Sequence, residues 1–363
     1  MKLKTLACLF FLIAGALGSL PITHASGRFW VSSFSPTTEN LFDVFMVNAT
    51  DGWIVGDGGT ILHWNGTEWS QVSQTATTAD LRGIYMYNSS EGWAVGLSGT
   101  TIHWNGTEWE SVTSGTSANL LGIGATTYLG PNYYVVGAEG TLLWWNKTAG
   151  EWQPQSVPTS AGLRDIDMYY FMILVPFPTP HFDIIKNGWA VGDSGTILHW
   201  GGSWSNVTSP TTAQLSEVCR ISSDDAWAAG SGWAMIHWDG TEWSNVTTPK
   251  SGYGYFSALD MVNATDGWAM GYGGAIIHWD GTEWSEVTSP TTNVLNAVYM
   301  VNATDGWAVG NGGTIIRWTG TEWIPEISTS LVMPLLISLT LVAVVIAKTL
   351  PKKRRSEWIP SKT

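Results

Sequence analysis

Five histidines recur at one place in the chain: His63, His103, His199, His237 and His278, with Trp144 and Arg317 in the two remaining copies. Histidine is the commonest metal ligand, so the first chemistry to weigh is a metal ring. The expected spacing argues against it. Each histidine lies on the third strand of its repeat, roughly 15 Å from a common axis at about 4.8 Å per strand. Neighbouring copies then stand roughly 13 Å apart, whereas ligands sit about 2 Å from a shared zinc. Repeat packing is the expectation, with no metal and no cofactor.

Acids offer a second chemistry. Residues 26–326 carry 28 Asp/Glu against 8 Lys/Arg, a balance that repels nucleic acid and anionic lipid and favours neutral glycans, cations or basic proteins. The copied Asp-Gly and Asn-Gly turns suggest calcium, but tight-turn chemistry accounts for them. Calcium needs six to eight oxygens in one place, and no alternating Asp loop is present. Asp165 and Asp167 are the one pair outside the pattern, the only hint of a carboxylate pair for glycoside hydrolysis. Cys219 takes the place held by Phe45, Tyr85 and Tyr299 in other copies, which reads as a small buried hydrophobe.

The elements that position these residues form a repeat. Trp53, Trp93, Tyr134, Trp189, Trp227, Trp268 and Trp307 mark a Gly-Trp-x-Val-Gly phrase with a period near 40. In the sixth copy, residues 256–263, 268–271, 275–279 and 282–287 read as four short strands separated by Gly, Asp-Gly and Pro-Thr-Thr turns. That period and strand count predict an all-β seven-bladed β-propeller with four-stranded blades. Two further aromatics recur, at Trp64, Trp104, Trp145, Trp200, Trp238, Trp279 and Trp318, and at Trp69, Trp109, Trp152, Trp204, Trp243, Trp284 and Trp323. They suit inter-blade contacts. Residues 29–41 match 283–295 in spacing, a spare fourth strand predicted to close the last blade and hide its edge. The competing segment at Trp323 carries Pro325.

The flanks read differently. Residues 1–25, with Lys2, Lys4, an apolar run and Thr23-His24-Ala25, predict a secretory signal peptide. Residues 327–347 hold no charge and predict a transmembrane helix, followed by a basic cytoplasmic tail at 348–363. The propeller of residues 26–326 is thus expected outside the cell membrane. Nine Asn-x-Ser/Thr sequons, at Asn48, Asn65, Asn88, Asn105, Asn146, Asn206, Asn245, Asn263 and Asn302, suit a glycoprotein.

The phrases Leu41-Phe42-Asp43-Val44, Gly52-Trp53-Ile54-Val55-Gly56, Gly59-Thr60-Ile61-Leu62 and Asn65-Gly66 before Trp69 resemble the tryptophan-rich Asp-box (BNR-like) propellers, particularly the photosystem II assembly and stability factor family. The resemblance implies the propeller across residues 29–326 and an assembly-factor role. The Asp-box turn here is one residue short and lacks its Ser/Thr start. Sialidases of this type require an arginine triad, and Arg28, Arg82, Arg164, Arg220 and Arg317 fall in no matched positions. Pro325-Glu326, the apolar span and the basic cluster also resemble exosortase-type sorting signals, which are cleaved and replaced by a lipid.

The fourth copy alone carries an insertion, residues 167–186, apolar, aromatic and proline-punctuated. As a loop on one blade it is the candidate binding site, with Tyr169, Tyr170, Phe171, Phe177, His181 and Phe182 as contacts. The expected function is a non-catalytic binding or cell-surface scaffold module for a protein or glycan ligand. The alternatives are an envelope carbohydrate-binding protein or glycoside hydrolase, or an assembly factor for a membrane complex. A hub with paired carboxylates would mark the enzyme; a featureless hub with a protruding loop would mark the scaffold.

Overall fold

The computed structural model describes residues 28–322 apart from 74, 128–129 and 176–180. The segments read as signal peptide, membrane span and basic tail, residues 1–25, 327–347 and 348–363, lie outside the described residues. Among the described residues no helix is long and apolar enough to cross a membrane.

Seven four-stranded antiparallel sheets make up the unit Arg28–Thr321. The second strand of each sheet, such as Asp51–Gly56 and Asp305–Gly310, is buried along nearly its whole length. It is covered on both faces by neighbouring blades, which is why it reads as a continuous apolar run. The fourth strands, such as Trp69–Gln71, bury only their tryptophan. The first strands, Leu41–Asn48 through Leu295–Asn302, face the axis.

The tryptophans interlock consecutive blades. Trp53 of blade 1 lies 4.9 Å from Trp104 and 5.5 Å, edge to face, from Trp109 of blade 2. The pattern continues around the ring to Trp307, which meets Trp64 at 4.8 Å and Trp69 at 5.3 Å. Ring closure follows the sequence expectation: Arg28–Ser32 pairs beside Thr314–Glu322 as the fourth strand of blade 7. Trp30 takes the fourth-strand tryptophan's place, 5.5 Å from Trp268 at 85°.

Volume is traded between the first two strands. A Cβ on Gly52, Gly92, Gly188, Gly267 or Gly306 would meet a methionine sulfur at 2.1–2.3 Å, from Met46, Met86, Met168, Met261 and Met300 in turn. Where blade 3 carries Tyr133 instead of this glycine, Ala125 replaces the methionine.

The insertion is not a loop, as expected, but a β-hairpin. Leu163–Val175 and His181–Gly192 stay in register from Asp165↔Val191 out to Val175↔His181. The strand propensity of Tyr169, Tyr170, Phe171, Ile173 and Val175 favours this pairing, and prolines 176, 178 and 180 lie outside the described residues.

Candidate functional site

Each histidine is paired within its own blade. His63 Nε2 lies 2.9 Å from Asp51, His103 3.0 Å from Glu91, His237 2.9 Å from Asp225 and His278 2.8 Å from Asp266. In blade 4 the partner is Asn187, at 2.7 Å, and in blade 7 Arg317 takes the role toward Asp305 at 3.0 Å. Each of the five rings also stacks on its blade's second-strand tryptophan at 4.3–4.6 Å. Among the described residues no group of His, Cys, Asp and Glu is placed to hold a metal.

The sequon asparagines have a local task too. Asn48, Asn88, Asn263 and Asn302 each accept from the backbone N–H two residues on, at 2.8 Å, and Asn65 and Asn105 do so at 2.9 Å. These are Asx turns. Asn206 and Asn245 donate their amides to Pro158 and Pro210 of the preceding linkers, both at 3.2 Å.

The chemistry gathers on the axis, where the first strands line a cavity of ≈ 1060 Å³. An innermost strand has no neighbour on its axial side, so its backbone N–H groups need partners. Carboxylates of the preceding blade supply them. Asp43 Oδ2 accepts from Ile84 N at 2.8 Å, and Asp165 Oδ2 accepts from Val218 N at 2.9 Å. Two residues further along the strand, Asp167 accepts from Arg220 N at 2.8 Å and Asp260 from Met300 N at 2.6 Å. Cys219 fills the same role, its sulfur accepting from Met261 N at 3.4 Å beside Asp260. Cys219 is therefore half-buried and hydrogen-bonded on the cavity wall, rather than the buried hydrophobe expected. Where the first strands of blades 3 and 4 approach closely, the third and fifth positions are Gly122 and Gly124. A Cβ there would meet Arg164 O at 2.6 Å and Ile166 O at 2.4 Å.

The fifth positions divide the ring in two. Blades 7, 1 and 2 contribute Tyr299, Phe45 and Tyr85, with Phe45 5.0 Å from Tyr299 and 4.9 Å from Tyr85. Blades 4, 5 and 6 contribute Asp167, Cys219 and Asp260 opposite them. Glu217, Asp165 and Asp43 stand one step toward the other mouth, at the third positions. Glu217 has no side-chain hydrogen bond or ion pair among the described residues, and four other carboxylates surround it.

Burial and mutual repulsion hold protons on this cluster. Desolvation pushes Asp43 and Asp165 up to about 7 and Asp260 to about 6, against the bonds from backbone amides that oppose it. Asp167 is raised by burial too, although Arg220 restrains it. Glu217 is raised well above its ordinary value, first by burial and then by Asp165, Asp43, Asp260 and Asp167. Burial and the adjoining Asp260 likewise push the Cys219 thiol up, leaving it a poor nucleophile. Tyr85 is pushed up to about 12 by burial and next by Asp167 across the channel.

Cations do not balance the acids. Arg82 pairs with Asp80 at 3.1 Å and Asp57 at 3.5 Å, outside the cluster, and Arg164 with Asp193 at 2.7 Å. Arg220 lies 3.8 Å from Asp167 and over the Tyr169 ring at 4.0 Å. The hub is not featureless, against the scaffold expectation.

Of the residues assigned to the insertion, Tyr169 and Tyr170 belong to the cavity wall, Tyr169 buried. Phe171, His181 and Phe182 lie on the paired strands of the hairpin, with side chains outside the description, and Phe177 is outside the described residues. Lys186 turns back to the blade, its amine donating to the Tyr134 hydroxyl, and burial lowers its proton affinity. Asp165 and Asp167 stood out in the sequence; Asp43, Glu217 and Asp260 did not. Their signal is the first-strand alignment, in which the third and fifth positions vary between acid, aromatic and glycine while the flanking residues repeat.

No family model and no curated protein matches the chain. Among solved structures it is similar to "YCF48 bound to D1 peptide", with TM-score 0.63 and 16% identity over 80% of this chain and 96% of that one. It is similar to YCF48 from Cyanidioschyzon merolae, with TM-score 0.61 and 16% identity over 80% of this chain and 98% of that one. It is also similar to the WD40 β-propeller domain of Doa1, with TM-score 0.61 and 12% identity over 80% and 96%. These likenesses establish the shared propeller. The expected likeness to photosystem II assembly-factor propellers holds at the level of fold.

Proposed function

We propose that this protein is a non-catalytic binding module whose axial cavity receives a cationic segment of a protein partner. The observation that carries this is the division of the hub: Asp165, Asp167, Glu217 and Asp260 of blades 4 to 6 on one side, and an arc of Phe45, Tyr85 and Tyr299 on the other, with Asp43 on the Phe45 strand and the lining Arg82, Arg164 and Arg220 each paired to an aspartate. An ammonium or guanidinium entering there meets carboxylates and aromatic faces together, the two groups that attract a cation. A cavity of ≈ 1060 Å³ has room for a few residues of a peptide. That a solved neighbour is described as bound to a peptide supports the same use of the fold. Catalysis fits less well, because Asp43, Asp165, Asp167 and Asp260 each hold a backbone amide of the next blade and are fixed as structural acceptors.

The setting is an extracellular one in this reading. The apolar run at 327–347 and the basic cluster after it support a membrane anchor, with the propeller outside.

The test is calorimetry of the full chain in detergent with blocked heptapeptides carrying a central Lys, Arg, Leu or Glu. Lys or Arg peptides are expected to bind and the other two not. A cation favours the ionised carboxylates, so binding releases protons and affinity rises as pH climbs through 6 to 7, where Asp260, Asp43 and Asp165 titrate. From pH 5 to pH 8 the gain is expected to be about tenfold or more. Equal binding of the Glu peptide, or affinity that falls with rising pH, overturns the reading.

A further inference from the structure

Blade 5 departs from the repeat at its second turn. In the other six blades the last turn residue is a glycine with φ of +67 to +73°: Gly59, Gly99, Gly140, Gly195, Gly274 and Gly313. A Cβ on any of them would meet a backbone oxygen of the following linker at 1.9–2.4 Å. Blade 5 has Trp233 there, at φ +62°. A left-handed L-residue costs about 1–2 kcal/mol, and strain of this kind persists only where the surroundings hold it.

Here the linker holds it. Lys250-Ser251-Gly252-Tyr253-Gly254-Tyr255 follows Pro249 where the blade 4 linker has Thr211-Thr212-Ala213-Gln214 after Pro210, and the indole lies against Gly254, where a Cβ would meet the ring at 1.9 Å. Trp233 is buried and packs on Phe256 at 5.0 Å. Gly232 N donates to Gly254 O at 2.8 Å and Tyr272 N to Tyr255 O at 3.0 Å, so the linker is pinned from both sides.

The pinned linker displays aromatic rings. Tyr253 is 85% exposed and Tyr272 43% exposed. Their centroids are 5.4 Å apart with planes at 86°, and Tyr272 lies 5.7 Å from Tyr255. Tyr255 reaches the cavity rim beside Ser231, Ser257, Gln214 and Ser216, all uncharged hydrogen-bonding residues. The one nearby cation, Lys250, is engaged by Glu286 at 3.0 Å.

We propose that Tyr253, Tyr272 and Tyr255 form a stacking subsite for a pyranose ring of a neutral oligosaccharide. Two rings at right angles make a corner that accepts the apolar face of a sugar, while phenol, serine and glutamine groups answer its hydroxyls. The acidic propeller disfavours an anionic ligand. A protein partner needs about 800 Å² on each side, far more than two exposed rings present. The subsite rests on the blade 5 departure and not on the axial acids.

The experiment is calorimetry of the full chain with cellohexaose, chitohexaose, maltohexaose and, as the competing chemistry, hexaproline. One of the hexasaccharides is expected to bind. Y253A, at a site so exposed that folding is undisturbed, should weaken it by about 2- to 12-fold, the worth of one aromatic contact. Y253F should retain most of it, and E217Q should leave it unchanged. Failure of all three sugars, binding that survives the Y253A/Y272A double substitution, or binding of hexaproline in their place overturns the proposal. Loss of cationic-peptide binding in E217Q with sugar binding intact separates the two sites.

Discussion

At the scale of single residues the hub is a compromise between pairing and repulsion. Four aspartates hold the otherwise unpaired axial N–H groups of the next blade, but Glu217 holds nothing and adds a fifth negative charge. An acid whose folded proton affinity is raised keeps its proton longer in the native state than in the unfolded chain. Stability is therefore fullest below the ordinary carboxylate range and declines as pH rises through the raised value. Glutamine keeps the shape of Glu217 without the charge and breaks no bond. E217Q is expected to match the parent near pH 5 and to exceed it at pH 8 by about 1 kcal/mol or more, a Tm gain of roughly 2 °C. Thermal melts at the two pH values check this, and an equal gain at both would show that charge is not the cause. The same substitution should weaken Lys-peptide binding. These roles were only partly legible in the sequence. Asp165 and Asp167 stood apart from the repeat, whereas Asp43, Glu217 and Asp260 lie in separate copies with nothing local to join them. Only the closed ring brings residues from blades 1, 4, 5 and 6 to face one space.

At the scale of elements the repeat was legible because its signals are local. Glycine turns, an apolar second strand and three aromatics per copy, all tryptophan but for Tyr134, recur at matched places, so each blade could be read without its neighbours. The insertion was located, but its form was misread, since prolines 176, 178 and 180 suggest a loop and the pairing of strands across them depends on register. The hairpin stays in register from Tyr170↔Lys186 out to Val175↔His181. Its base is anchored by Met168 against Gly188 and by the Lys186 contact with Tyr134. The outer part is therefore expected to be separable from the blade. Joining Tyr170 to Lys186 through Asn-Gly, which supplies a type I′ turn, should change Tm by no more than about 2 °C. A fall several times larger would show that the hairpin tip packs on the propeller. Peptide binding in this variant then reports whether the tip contributes to the axial site.

For the whole molecule the decisive contact joins the two ends of the described chain. Six blades draw their fourth strand from the residues that follow the third, but blade 7 draws it from Arg28–Ser32. The N-terminal segment repeats contacts of an ordinary linker: Ser33 N donates to Ile315 O at 2.8 Å as Val72 N does to Ile61 O at 2.9 Å, and a Cβ on Gly313 would meet Thr37 O at 2.0 Å, as Gly59 would meet Thr77 O at 2.2 Å. This long-range pairing was legible only because residues 29–41 copy the spacing of 283–295. Trp30, 2% exposed, fills the space between Trp268 and Trp318, at 5.5 and 5.9 Å. Removing a buried tryptophan costs about 3–5 kcal/mol. Here it also loosens the strand that covers the edge of blade 7. W30A is expected to lower Tm by roughly 5–10 °C and to make the protein prone to edge-to-edge association. Trp323 occupies the equivalent place in the repeat phrase, yet the space it would fill already holds Trp30. W323A should therefore cost far less. Melts and size-exclusion profiles of the two variants side by side decide between closures: a larger loss for W323A than for W30A would mean that the C-terminal copy, and not the N-terminal strand, closes the ring.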